Sequence, residues 1–361
     1  MEIKKLVVLV GLTIPVMASA QSSVTLYGVV DTSLEMANTG ANQVVRMASG
    51  KVVSSRFGMQ GQEDIGGGTR VIFRLENGFN SATGALASSS VLFNRESWVG
   101  LQSNYGTVKF GVQYTPFHTA RVKFGATVLG DGMSWGVAMT DFTFGPTVRP
   151  NNSVRYESPV IAGFTLRAMY ARGTNGTTGQ PGSLGDIRSA GLEYANGALL
   201  FEAAWLDQVG TTANPITSSS PTARGNFSLF TLGYDFGFMR PRAVFQMHRG
   251  GPNVSTSYAA GAVTPKHNIY ELDDTIPVGR DMVTLSVGHY AKLGDSSGDA
   301  TGYHIRYDHP LSKATVLYAG AGYVRNGSSA SFTVGDASAA GVAVKAGENA
   351  TSVAVGLVHS F

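Results

Sequence analysis

The residue types that carry out chemistry are present in this chain, but they are not gathered. Seven histidines stand at His118, His248, His267, His289, His304, His309 and His359, none with the HxxxH spacing that sets two imidazoles on one helix face to hold zinc. The absence of cysteine removes thiolate metal sites, disulfide exchange and a Cys nucleophile. Serines abound, yet no Ser, His and acid can be singled out as an acyl-transfer constellation. Gly66-Gly67-Gly68-Thr69-Arg70 lacks the GK[ST] of a phosphate loop, and Asp295-Ser-Ser-Gly-Asp299 lacks the ligand series of a calcium hand and reads as a solvated turn. Neither an enzyme nor a metal or cofactor site is expected.

What the chain has instead is charge in phase with a strand. In Thr69 to Phe79, Val71, Phe73 and Leu75 alternate with Arg70, Arg74 and Glu76. In Thr107 to Thr115, Val108, Phe110, Val112 and Tyr114 oppose Lys109, Gly111, Gln113 and Thr115. Val154 and Tyr156 oppose Arg155 and Glu157, while Phe164, Leu166 and Tyr170 oppose Arg167. Arg56, Arg240 and Arg242 fall on polar faces by the same count. Period-two alternation marks a sheet with one apolar and one wetted face. An arginine or lysine turned to the middle of a bilayer costs about 2–4 kcal/mol, so this many in-phase cations belong on a wetted face.

Residues 1–20 stand apart. Lys4 and Lys5 precede an apolar run, Leu6 to Met17, too short to span a membrane, and Ala18-Ser19-Ala20 matches a small-x-small cleavage site. A secretory signal peptide over 1–20 and a mature chain over 21–361 are expected; an N-terminal anchor needs a longer run. No later stretch reaches the roughly 18 apolar residues of a spanning helix. Only 14% of residues are charged, 46 are glycine and mean hydropathy is near zero, the average of an apolar face diluted by a polar one. The net charge, +3 for the whole chain and +2 without residues 1–20, does not support nucleic-acid binding.

Strand-length segments recur to the end of the chain, joined by connections that alternate between short and long. The short ones fall near 63–68, 103–106, 159–163, 196–197, 236–238, 275–279 and 309–312. The long ones fall near 38–50, 80–91, 116–150, 173–186, 208–225, 250–266, 293–300 and 326–350. Seven short and eight long connections imply sixteen strands with both termini at the short-turn end, provided that residues 267–274 form a strand. Outward aromatics at Tyr27, Tyr114, Tyr156, Tyr170, Phe236 and Tyr323 suit an interfacial girdle and favour a membrane barrel over a soluble sandwich. Residues 116–150 hold no period and are too long for an ordinary connection. They are expected to fold into the lumen as a constriction.

Four blocks, Ser22 to Glu35, Ser54 to Gly68, Phe93 to Pro116 and Asn152 to Pro159, resemble the general trimeric porins of Gram-negative bacteria, closest to the β-proteobacterial branch. Tyr307 to Tyr323 and the ending Gly356 to Phe361 resemble the same family. The resemblance implies an all-β, sixteen-stranded antiparallel transmembrane barrel in the outer membrane, with an inward-folded third external loop at 116–150. It implies a homotrimer among lipid and lipopolysaccharide, passing ions and small hydrophilic solutes. It places constriction residues at Arg56, Arg95, Arg155 and Glu76, with loop carboxylates Asp131 and Asp141, and makes Phe361 an assembly signal. Arg95 is the least settled by alternation, because Glu96 and Trp98 have the opposite parity and Trp98 would face lipid or a neighbouring subunit. Arg70, Arg74, Lys109, Arg167, Arg240 and Arg242 are expected to add lumen charge, giving weak anion preference unless wall carboxylates pair with them. A barrel acting as an adhesin or receptor through its outer loops is the alternative.

Overall fold

A computed structural model describes residues 23–40, 42–123, 147–173, 185–209, 224–250, 266–334 and 342–361. The strands are β1 (Ser23–Asn38), β2 (Gln43–Ser49), β3 (Arg56–Gly66), β4 (Thr69–Gly78), β5 (Glu96–Ser103) and β6 (Gly106–Val112). The helix α1 (Pro116–Lys123) follows, then β7 (Ser153–Glu157), β8 (Phe164–Ala171), β9 (Ile187–Asn196), β10 (Leu199–Val209) and β11 (Arg224–Tyr234). The chain ends with β12 (Arg240–Arg249), β13 (His267–Val278), β14 (Asp281–Lys292), β15 (Ala300–Pro310), β16 (Thr315–Asn326) and β17 (Ala350–Ser360). Consecutive strands pair antiparallel, except β2 and β3, which both pair with β1, and β1 pairs with β17 from Val29↔Ser360 to Asn38↔Thr351, closing the sheet.

The wall has sixteen positions although the chain makes seventeen strands, because β2 and β3 share one. β3 pairs with the Ser23–Val29 half of β1, and β2 with the Thr32–Asn38 half. Between them residues 50–55 leave the wall. Lys51, Val52 and Val53 are buried, and the Asp31 carboxylate accepts from the Val52 and Val53 amides at 2.7 and 2.9 Å. The run from Val52 to Gln60, in which Phe57 and Met59 alternate with Arg56 and Gln60, reads as one strand in the sequence but becomes a strand only at Arg56, and the long connection expected over 38–50 is mostly β2. The alternation of Val52-Val53-Ser54-Ser55 is too weak to distinguish a strand from a buried bend.

Closure removes every sheet edge, the requirement for crossing lipid with strands. Val24, Leu26, Phe110, Leu166, Leu232, Ile305 and Val355 stand exposed on the outer face. Asp31, Glu35, Arg167, Glu202, Arg242, Glu271 and Arg306 are buried on the inner one. At the seam the Phe361 ring lies on Gly28, whose amide and carbonyl exchange hydrogen bonds of 2.9 and 3.0 Å with Phe361. A Cβ at Gly28 would meet that ring at 2.3 Å. The strand expected at 267–274 is present and runs on through Pro277 to Val278.

Two of the expected girdle aromatics point inward. Tyr27 donates to Glu76 Oε2 at 2.8 Å, and Tyr114 Oη accepts from Arg95. Tyr27 alternates with outward-facing Val24 and Leu26, while Tyr114 lies just past the end of β6, where the strand's parity no longer holds.

Candidate functional site

α1 opens the segment without period. Thr115 caps it, its Oγ1 accepting from the His118 amide at 3.1 Å, and Pro116 takes the first turn, where a missing N–H costs nothing. Phe117 and Ala120 pack with Ala171, Ile187, Leu206, Phe227 and Leu229, inner-wall residues of β8 to β11. Arg121 reaches Glu271 on β13 at 2.7 Å. Residues 124–146, with Asp131 and Asp141, lie outside the described residues, as do residues 1–22.

Opposite cations and carboxylates gather where this segment leaves and rejoins the wall. Glu76 on β4 accepts from Arg95 Nε at 2.6 Å and lies 3.8 Å from Arg56 Nε. Arg95 stands just before β5, so strand parity does not bind it and it turns inward beside Glu96. Gly78 leaves it room: a Cβ there would sit 3.1 Å from Arg95 Cδ. The Tyr114 hydroxyl accepts from Arg95 at 2.7 Å and from Arg149 at 2.9 Å. The Arg149 guanidinium also lies over the Tyr114 ring, 5.0 Å from its centre, and His118 stacks beneath at 4.8 Å. Arg155 bonds the Tyr114 carbonyl at 2.8 Å and Glu157 at 2.9 Å. Arg56, Arg95, Arg155 and Glu76 are thus brought together, and Arg149 joins them from the loop. Alternation could not have found Arg149, because it lies outside any strand.

Trp98 and Glu96 face the lumen rather than lipid: Trp98 donates to Glu96 at 2.7 Å, and the Lys109 ammonium lies 4.6 Å from the indole centre. Other inward cations are tied to carboxylates. Arg167 contacts Glu157, Glu193 and Glu202 at 2.6–3.2 Å. Arg242 pairs with Asp273 and Glu271, Arg240 with Asp235, and Arg74 with Glu96. Their field in the lumen is correspondingly offset. Arg70 is exposed near the short-turn end.

Among the described residues no group of three or more His, Asp or Glu is placed to hold a metal ion. In the 295–299 turn, Lys292 and Ser297 hold the Asp295 carboxyl down at about 2. Gly294-Asp-Ser-Ser-Gly298 spells a nucleophile-elbow pattern but joins two strands, without the strand-to-helix turn that exposes such a serine.

A closed barrel with a wetted, arginine-bearing inner face and an apolar outer one defines a water-filled channel of the porin kind. The Gram-negative porin family profile matches residues 6–329, and the chain belongs to that family. Outer membrane porin protein 32 of Delftia acidovorans is 29% identical, covering 99% of both chains. The major outer membrane protein P.IB of Neisseria lactamica is 27% identical over 94% of this chain and 98% of its own. Among solved structures, an anion-selective porin from Comamonas acidovorans superposes with a TM-score of 0.79 at 25% identity, covering 94% of this chain and all of the other. A trimer form of OmpT from Vibrio cholerae shares the fold, with a TM-score of 0.68 at 16% identity and coverage of 94% and 99%. The protein is an outer-membrane porin, a passive channel and not an enzyme.

Proposed function

We propose that this porin is a weakly anion-preferring channel whose narrowest section is bounded by Arg56, Arg95, Arg155 and Glu76. In this reading the third loop, 116–150, folds inward and supplies the facing carboxylate, Asp131 or Asp141. The observation that carries this reading is the convergence of Arg56, Arg95 and Arg149 on one carboxylate, Glu76, and one phenol, Tyr114. Guanidiniums on a pore wall favour anions, and facing carboxylates set up a transverse field. The Comamonas neighbour, named as anion-selective, supports the same direction.

The working form is a homotrimer exported by a signal peptide over residues 1–20, with Phe361 as its assembly signal. The trimer form of the OmpT neighbour supports the oligomer. Of the secondary lumen cations, Arg70 and Lys109 add positive charge, while Arg74, Arg167, Arg240 and Arg242 add little beyond the carboxylates that pair with them.

Glu76→Gln tests the charge assignment. One charge change nearby is worth about 1 kcal/mol, so the chloride-to-potassium permeability ratio should rise roughly fivefold. A ratio equal to wild type in a correctly folded variant contradicts the assignment.

A further inference from the structure

A second site lies beside the arginine cluster and differs from it in chemistry. Successive cross-strand partners on the inner face run Tyr27–Gly58–Glu76–Glu96 at the level of the cluster. The next inward-facing row toward the short-turn end, two residues or about 7 Å away, runs Thr25–Gln60–Arg74–Trp98. Around that row is a pocket of about 470 Å³ whose lining includes Thr25, Gln60, Gln62, Arg74, Trp98 and Gln102. Three of the chain's nine glutamines therefore share one cavity with a tryptophan.

The charged group in this lining is already engaged. Arg74 donates to Gln60 Oε1 at 2.6 Å and lies 3.5 Å from Glu96, whose Oε2 also accepts from Trp98 Nε1 at 2.7 Å. Gln60, Arg74, Glu96 and Trp98 thus form one polar chain that fixes the plane of the indole. Lys109, which lies over the ring, is not part of the lining. The side chains of Thr25, Gln62 and Gln102 are exposed and make no hydrogen bond among the described residues.

An indole offers an apolar platform, while amides and a hydroxyl both donate and accept. A pyranose presents the matching surfaces: a C–H face and a rim of vicinal hydroxyls, without charge. The volume falls in the range of small-molecule pockets. We infer that this row is a subsite for neutral sugars, occupied in transit on the short-turn side of the constriction. The inference rests on the channel reading above and adds a neutral solute class to the ionic one.

D-glucose is the probe and sodium gluconate its charged counterpart. In planar bilayers at fixed salt, glucose added on the short-turn side should produce concentration-dependent current noise. Equilibrium dialysis of labelled glucose against folded protein in detergent should give the same affinity and does not depend on conduction. Trp98→Ala should weaken glucose binding about tenfold through loss of stacking, with Trp98→Phe retaining most of it and Gln102→Ala intermediate. Conducting channels that bind no glucose, or that bind gluconate in preference, overturn the subsite and leave the channel reading intact. Absence of conductance overturns the channel reading, and dialysis then decides whether the pocket takes sugar at all.

Discussion

Arg95 and Arg149, one at the end of the wall and one on the returning loop, donate to the same oxygen, the hydroxyl of Tyr114, at 2.7 and 2.9 Å. Two cations on one neutral acceptor repel each other, and Glu76, on the far side of Arg95, is the carboxylate that offsets them. Arg149 pairs with no carboxylate among the described residues, so its charge is the less compensated of the two. Arg149→Ala should therefore lower the chloride preference by more than Arg240→Ala, whose guanidinium pairs with Asp235 at the short-turn end. Reversal potentials of the two variants in one salt gradient make the comparison; equal shifts would remove Arg149 from the selectivity-setting group.

The inward bend at 50–55 depends on Asp31. Its carboxylate accepts from two backbone amides and, at 2.7 Å, from the Tyr318 hydroxyl, while Val52 and Val53 pack on Tyr318 and Val358. Asp31→Ala leaves those donors buried without an acceptor, at a cost of at least about 2 kcal/mol. The bend should detach, lowering the midpoint of unfolding and changing single-channel conductance together. A change in stability with unaltered conductance would mean that the bend lies clear of the ion path.

An unbroken chain of rings crosses the inner wall, Phe117–Phe227–His248–His267–Tyr290–Phe332, with centres 4.4–6.1 Å apart. It joins α1, at the start of the third loop, to Phe332 in the connection between β16 and β17. Phe332 also packs with Ile269, Val324 and Ala350, and Asn326 bonds its amide and carbonyl at 2.9 and 2.8 Å. Phe332→Ala should release this connection, since truncating a buried phenylalanine costs about 3–5 kcal/mol. Protease cleavage within residues 327–334 of the folded barrel reports the release. Resistance equal to wild type would show that the Phe332 ring is not what holds the segment, leaving that role to Asn326 and to the backbone bonds of Gly327 and Ser329 to Asp299 and Ser297.

The seam predicts its own variant. Gly28→Ala places a methyl 2.3 Å from the Phe361 ring and 2.9 Å from the Arg56 carbonyl oxygen, so the ring must leave its place. Overpacking of this kind costs about 1–3 kcal/mol. The yield of heat-modifiable, folded barrel on gel electrophoresis should fall, and Gly28→Ala combined with Phe361→Leu should recover part of it. Full yield from Gly28→Ala alone would separate Phe361 from closure.

Much of the wall was legible because alternation reports burial directly. Arg56, Glu76 and Arg155 lie on regular strands, and their inward orientation could be counted from Phe57, Leu75 and Val154. Counting failed where a strand stops. Arg95 and Tyr114 lie just outside β5 and β6, so each points inward against its parity, and Glu96 and Trp98 were misdirected with them. Val52 and Val53 are apolar enough for a strand yet bury themselves in a bend around Asp31, a contact 21 residues distant in sequence that no local pattern encodes. α1 has eight residues and almost no apolar stripe; Thr115-Pro116, a cap followed by a first-turn proline, was the available signal.

Whether the gathered arginines set the charge preference of the channel is read from the reversal potential of the wild-type protein in a planar bilayer across a potassium chloride gradient. The reversal potential should be displaced toward that of chloride, and less so when Arg56 and Arg95 are both replaced by alanine. A displacement toward potassium, or one that the double replacement leaves unchanged, would contradict a charge preference set by these arginines.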